Sequence, residues 1–196
     1  QFVQSLSQAI RRRFTFISLD VPPKRPAGVA WAFDLGSELP AILEFSYVIR
    51  RAAFRVARRE CSMSPENTEA LTTEILNETT NQHLALIQAL FDLVETVRYA
   101  EEGSESPHLP IGTAQLVDTV ELFLTRNRQD IASGGVPARQ MDWAASVKLA
   151  PLFESDVLGP EQLSTLAQTL SAPFDELLKR ELLIISASGM HFVPGA

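Results

Sequence analysis

A single cysteine, Cys61, rules out an internal disulfide and any cysteine-based zinc site. The chain has no uncharged apolar run of eighteen or more residues, so the sequence predicts no membrane span. No secretory leader is expected: the first residues are Gln-rich and lead into Arg11-Arg12-Arg13, the reverse of the basic-then-apolar order of a signal peptide. Together these point to an intracellular protein, cytoplasmic or nuclear. Catalytic signatures are missing as well. There is no Gly-x-Ser-x-Gly elbow, and no Gly-Lys-Ser/Thr follows Gly134-Gly135. The histidines His83, His108 and His191 form no pair at metal-ligand spacing. Glu101-Glu102 sits in an expected solvated loop, where a raised pKa has no cause. The sequence therefore assigns no catalytic residue, metal ligand or cofactor site, and the expectation is a protein that is not an enzyme.

Apolar residues make up 45% of the 196, enough for a packed core. The formal charge of −7 is unevenly spread: residues 1–60 hold ten Lys/Arg and five Asp/Glu, whereas the remainder is strongly acidic. The basic front either meets an acidic partner or packs on the acidic remainder of its own fold, and packing is the simpler account.

Helical periodicity dominates. Val3, Leu6, Ala9 and Ile10 mark a first helix face, and Phe14 to Leu19 alternates like a short strand. Prolines 22, 23 and 26 forbid a regular element, so residues 20–37 read as an extended loop pinned to the core by Trp31 and Phe33. Ser37 and Pro40 announce a helix to about Glu60 whose apolar positions cover more than half its circumference. Ser64-Pro65-Glu66 opens a second long helix that reaches Tyr99, with a break expected near Thr79-Thr80-Asn81. Glu101 to Pro110 reads as a loop and residues 112–132 as a helix. Ser133-Gly134-Gly135-Val136-Pro137 then marks a boundary between a bundle at 1–133 and a smaller module at 139–196.

Within that module the periodicity gives helices at 139–154, from Gly159-Pro160, and at Pro173 to Leu182. Leu182 to Val193 reads as two strands around Ser186-Ala187-Ser188-Gly189. Three helices followed by a two-stranded wing resemble a winged-helix domain. The resemblance implies that the third helix or the wing contacts a partner. Lys179 and Arg180 are outnumbered there by Asp175, Glu176 and Glu181, and the wing has no Lys or Arg, so protein contact is expected ahead of DNA contact. The expected fold class is thus mainly α: a helical bundle followed by a small winged-helix-like module with a C-terminal β-hairpin.

The function this supports is a non-catalytic protein-interaction subunit or scaffold of a larger assembly. Its candidate contact residues are Trp31, Phe33, the face carrying Arg50, Arg51, Arg55, Arg58 and Arg59, and Lys179 with Arg180. The alternative is a nucleic-acid-binding regulator whose basic front, Arg11, Arg12, Arg13, Lys24 and Arg25, tracks phosphates. A third reading places a small-ligand pocket inside the bundle.

Overall fold

The computed structural model describes residues 22–61, 65–99, 109, 111–130, 135–154 and 159–189. All regular structure among them is helical. The helix expected near the start, the strand at 14–19 and the Glu101–Pro110 loop, apart from Leu109, lie outside the described residues.

Helix α1, Pro40–Glu60, starts on proline at its first position, where a missing N–H is harmless. Ser37 does not cap it directly; its Oγ accepts the Leu39 N–H at 3.2 Å, turning the chain just ahead of the helix. Phe45, Val48, Ile49, Ala52, Ala53, Val56 and Ala57 are buried, the broad apolar coverage that a central helix needs.

Helix α2, Pro65–Glu78, runs through a π-helical turn, Thr79–His83, into α3, Leu84–Arg98. The expected break near Thr79 takes the form of this π turn. The Thr79 and Thr80 hydroxyls donate to the carbonyls of Ile75 and Leu76, at 2.6 and 2.9 Å. They share acceptors with the ordinary i−4 ladder, as Thr72, Thr73, Thr96, Thr119 and Thr125 also do within regular α-helix, so these bonds accompany the π turn without by themselves causing it. Helix α4, Thr113–Asp130, and α5, Pro137–Lys148, follow. The expected helix at 139–154 ends at Lys148 and tightens into a 3₁₀ turn, Ala150–Glu154. Helices α6, Pro160–Thr169, and α7, Leu177–Gly189, complete the described chain.

The hairpin and the winged-helix module are corrected by α7. Residues 182–189, expected as a strand and wing tip, are helical, and the third helix begins at Leu177, not Pro173. Met190 to Val193, the expected second strand, lies outside the described residues. The physical reason is register. Leu178, Leu182 and Ser186 are buried and Ile185 packs against the core, whereas Leu183 and Ile184 face outward. That is a three-to-four-residue period, and packing overrides the β preference of Ile184-Ile185. Two polar contacts hold the helix there. Asp142 of α5 accepts the Leu177 and Leu178 N–H groups at 2.6 and 2.9 Å, and the Ser186 hydroxyl donates to Pro160 O at 2.7 Å.

One cluster of buried side chains spans these helices, from Phe45 and Phe91 through Phe123 and Met141 to Phe153, Leu166 and Leu182. The extended segment before α1 lies against it. Trp31 stacks on Phe45, with ring centroids 5.4 Å apart, and meets Phe91 edge-on at 5.1 Å.

Candidate functional site

Among the described residues, the arginines divide into two sets. Arg25, Arg55, Arg59, Arg98, Arg126, Arg128 and Arg180 each lie within 4.0 Å of a carboxylate. Arg50, Arg51, Arg58 and Arg139 have no carboxylate partner there, and three of these four line one cleft.

That cleft, about 660 Å³, lies between α1 and α2. Helix α1 contributes Arg50, Arg51, Phe54 and Arg58; α2 contributes Pro65, Thr68, Glu69, Thr72, Thr73 and Leu76. Positions 50, 54 and 58 share one helix face and Arg51 reaches in from the side over Phe54, so the three arginines border an apolar floor of Phe54 and Leu76. Arg51 lies over the Phe54 ring, its Cζ 5.5 Å from the centroid. The α2 wall carries mostly hydroxyls and a single carboxylate, Glu69. The Thr72 and Thr73 hydroxyls are turned back onto the carbonyls of Thr68 and Glu69. The result is a cationic island with an apolar floor on a chain whose net charge is −7.

The Arg50–Arg59 face foreseen in the sequence is therefore two faces. Arg55 and Arg59 point the other way, onto α4. Arg55 donates to Asp118 at 2.6 Å and Glu121 at 3.1 Å, and these hydrogen bonds push its pKa up. Arg59 approaches the other Glu121 oxygen at 2.5 Å as a charge contact without hydrogen-bond alignment. Both serve the packing of α1 on α4.

The remaining foreseen residues scatter. Trp31 is buried, its indole N–H bonded to Asp92 at 2.7 Å, and Phe33 is half-buried against the core. Arg25 bonds Asp92 and Glu95 at 3.0 and 3.1 Å, donates to Val29 O, and stacks 4.3 Å above Trp31. It straps the extended segment to α3, while neighbouring Lys24 is exposed. On α7, Lys179 is half-buried and Arg180 pairs with adjacent Glu181 at 3.2 Å. Arg11, Arg12 and Arg13 lie outside the described residues.

A second cavity, about 510 Å³, adjoins Arg126, Arg139, Gln140 and Trp143. Arg126 lies 5.7 Å from the Trp143 ring and is neutralised by Asp130 at 2.8 Å.

Chemistry-bearing side chains are few. The π turn places His83 inside the bundle, with Nε2 2.9 Å from the Asn127 amide nitrogen and its ring edge-on to Phe123. That contact makes Nε2 the acceptor, so the neutral ring carries its proton on Nδ1. Burial lowers the His83 pKa from its ordinary value, against the opposing pull of the Glu78 carboxylate. Cys61 is half-buried at the end of α1. Among the described residues, no group of three or more His, Cys, Asp or Glu side chains is placed to hold a metal ion. No helix among them is long and apolar enough to cross a membrane.

No protein family, curated protein or solved structure matches this chain.

The cleft was half legible in sequence. The arginine run on α1 is visible, but the division between cleft-facing and α4-facing arginines requires knowing where α2 and α4 pack. The inward histidine had a signal in the periodicity, which puts either His83 or Leu84 on the core face in line with Ile75, Ile87 and Leu90; the structure buries His83.

Proposed function

We propose that this chain is a non-catalytic protein-interaction module that receives a partner in the α1–α2 cleft. One observation carries the reading: three of the four arginines without a described carboxylate partner converge on the same apolar-floored cleft. Seven other arginines are neutralised internally; the remaining cations without an ion pair among the described residues, Lys24, Arg139, Lys148 and Lys179, are spread over other segments, so the cleft is where such cations gather. Charged groups left unpaired around an apolar floor suit a polar rim and a desolvated centre, the anatomy of protein interfaces.

Nucleic acid fits this arrangement less well. Phosphate tracking uses a stripe of cations along one surface, whereas Arg25 is committed to Asp92 and Glu95, and Lys179 and Arg180 lie on a different helix.

The test is site-specific photocrosslinking in the full chain. A photoreactive residue replaces Thr73, exposed on the cleft wall, or Gln168, an exposed control on α6. Nuclease-resistant protein adducts at position 73, missing at 168 and lost when Arg50, Arg51 and Arg58 are changed to Gln, support the reading. Equal adducts at both positions, or adducts removed by nuclease, contradict it.

A further inference from the structure

We infer that the occupant of the α1–α2 cleft is an acidic amphipathic helix of a partner protein, an inference that rests on the docking role proposed for this cleft.

The exposed stripe of α1 continues past the cleft towards the start of the helix. Leu43 and Tyr47 on α1 are 38% and 52% exposed. At about 100° per residue, Leu43, Tyr47, Arg50, Phe54 and Arg58 fall on one stripe of the helix. The stripe runs for about 22 Å at 1.5 Å per residue, which matches four turns of a second helix. Its sequence of chemistry is apolar, aromatic, cation, aromatic, cation. Tyr47 and Phe54 supply large rigid contact area, and the guanidinium groups offer forked donors suited to carboxylates.

The two walls make different demands. Arg50 and Arg58 lie about 12 Å apart along α1, two helical turns. A helix carrying carboxylates seven residues apart, with an apolar residue between them over Phe54 and Leu76, meets both cations and fills the floor. The α2 wall, with Thr73 and Glu69, asks for uncharged polar or basic groups on the other edge. A partner that is acidic all round would meet Glu69, so the edge pattern, not net charge alone, is specified. This is helix-in-groove recognition with a charge code on one edge.

The probe is a fluorescein-labelled peptide of about sixteen residues, long enough to match the stripe. It carries Glu at two positions seven apart on one edge and Leu between them. A control peptide has Gln in place of both Glu. Anisotropy titrations use the full chain. The expected result is binding of the Glu peptide at least about tenfold tighter than the Gln peptide, weakening as salt rises. The Arg50→Gln/Arg51→Gln/Arg58→Gln variant should erase that preference, whereas Arg59→Gln should keep it. Thr73→Glu, an exposed change on the α2 wall, should weaken the Glu peptide selectively, which covers the case of a poorly folded triple variant.

Equal binding of the two peptides overturns the acidic occupant while leaving the cleft as a docking surface. Binding of neither peptide overturns the acidic occupant, and photocrosslinks at position 73 then decide separately whether the docking role stands. Displacement of the Glu peptide by a short single-stranded oligonucleotide whose own binding needs the three arginines overturns it in favour of nucleic acid.

Discussion

Arg98 of α3 donates through both terminal nitrogens to the two oxygens of Glu44 on α1, at 2.7 and 2.9 Å, with both side chains buried. The pair is completed rather than isolated. Arg98 Nε also donates to Ile111 O at 2.6 Å, and the Thr113 hydroxyl donates to Glu44 at 2.7 Å. Three segments distant in sequence, the starts of α1 and α4 and the end of α3, are bolted at one point. Because α1 also forms one wall of the cleft, the bolt fixes the element that presents the arginines.

Removing one partner leaves an uncompensated buried charge. Arg98→Met is therefore expected to destabilise the fold by about 3–5 kcal/mol. The double change Glu44→Leu/Arg98→Met should recover much of that loss, because a buried ion pair is replaced by apolar groups of similar volume. Urea denaturation of the wild type, both single variants and the double variant measures the coupling.

His83 predicts a pH dependence. Its pKa in the folded state is lowered by burial, below the unfolded value of about 6.5. The folded state then binds fewer protons than the unfolded state in this range, so stability rises with pH. It is full above about pH 6.5 and declines as pH falls from there towards the folded pKa. Denaturation midpoints across this interval should slope downward on acidification, and His83→Gln should flatten the slope. A slope unchanged by the substitution assigns the titration to another group.

The strap before α1 predicts a contrast between neighbours. Trp31→Ala removes the ring packed on Phe45 and Phe91 and is expected to lose about 3–5 kcal/mol. Arg25→Ala should also destabilise, through loss of its contacts to Asp92, Glu95 and Trp31. Lys24→Ala, exposed one residue away, should change stability by no more than about 0.5 kcal/mol. Thermal unfolding of the three variants checks the ranking.

Helix α7 predicts helical carbon chemical shifts for residues 182–189, and slow amide exchange at Leu177 and Leu178, whose N–H groups are held by Asp142. Asp142→Ala should weaken the start of the helix by about 0.5–2 kcal/mol, as loss of a cap does. Strand-like shifts at Leu183 and Ile184 would contradict the helix.

The sequence made the helical class legible because its apolar spacing is strong in α1, α3 and α4, and prolines 40, 65 and 160 sit at helix starts; Pro137, expected as part of the stop before α5, opens that helix, and Pro173, expected to open the last helix, precedes it by four residues. It misplaced the end of the described chain for an identifiable reason. Leu182-Leu183-Ile184-Ile185 is a short apolar run that fits either a strand or a buried helix, and its β-branched residues tipped the reading. What decides it is the pocket formed by α5, α6 and the 3₁₀ turn, which accepts one helical face. The same limit split the arginines of α1. Residues 50, 51, 55, 58 and 59 are close in sequence, yet the acids on α4 neutralise only Arg55 and Arg59, and nothing local to α1 encodes that.

The most direct test of a cleft that receives a partner is to map where a bound helix sits. Amide chemical-shift perturbations of the isotope-labelled full chain are followed on titration with the Glu-bearing peptide. The largest shifts are expected to cluster on residues 43–58 of α1 and 65–76 of α2. A cluster around Arg126 and Trp143, or on residues 11–25, would contradict it.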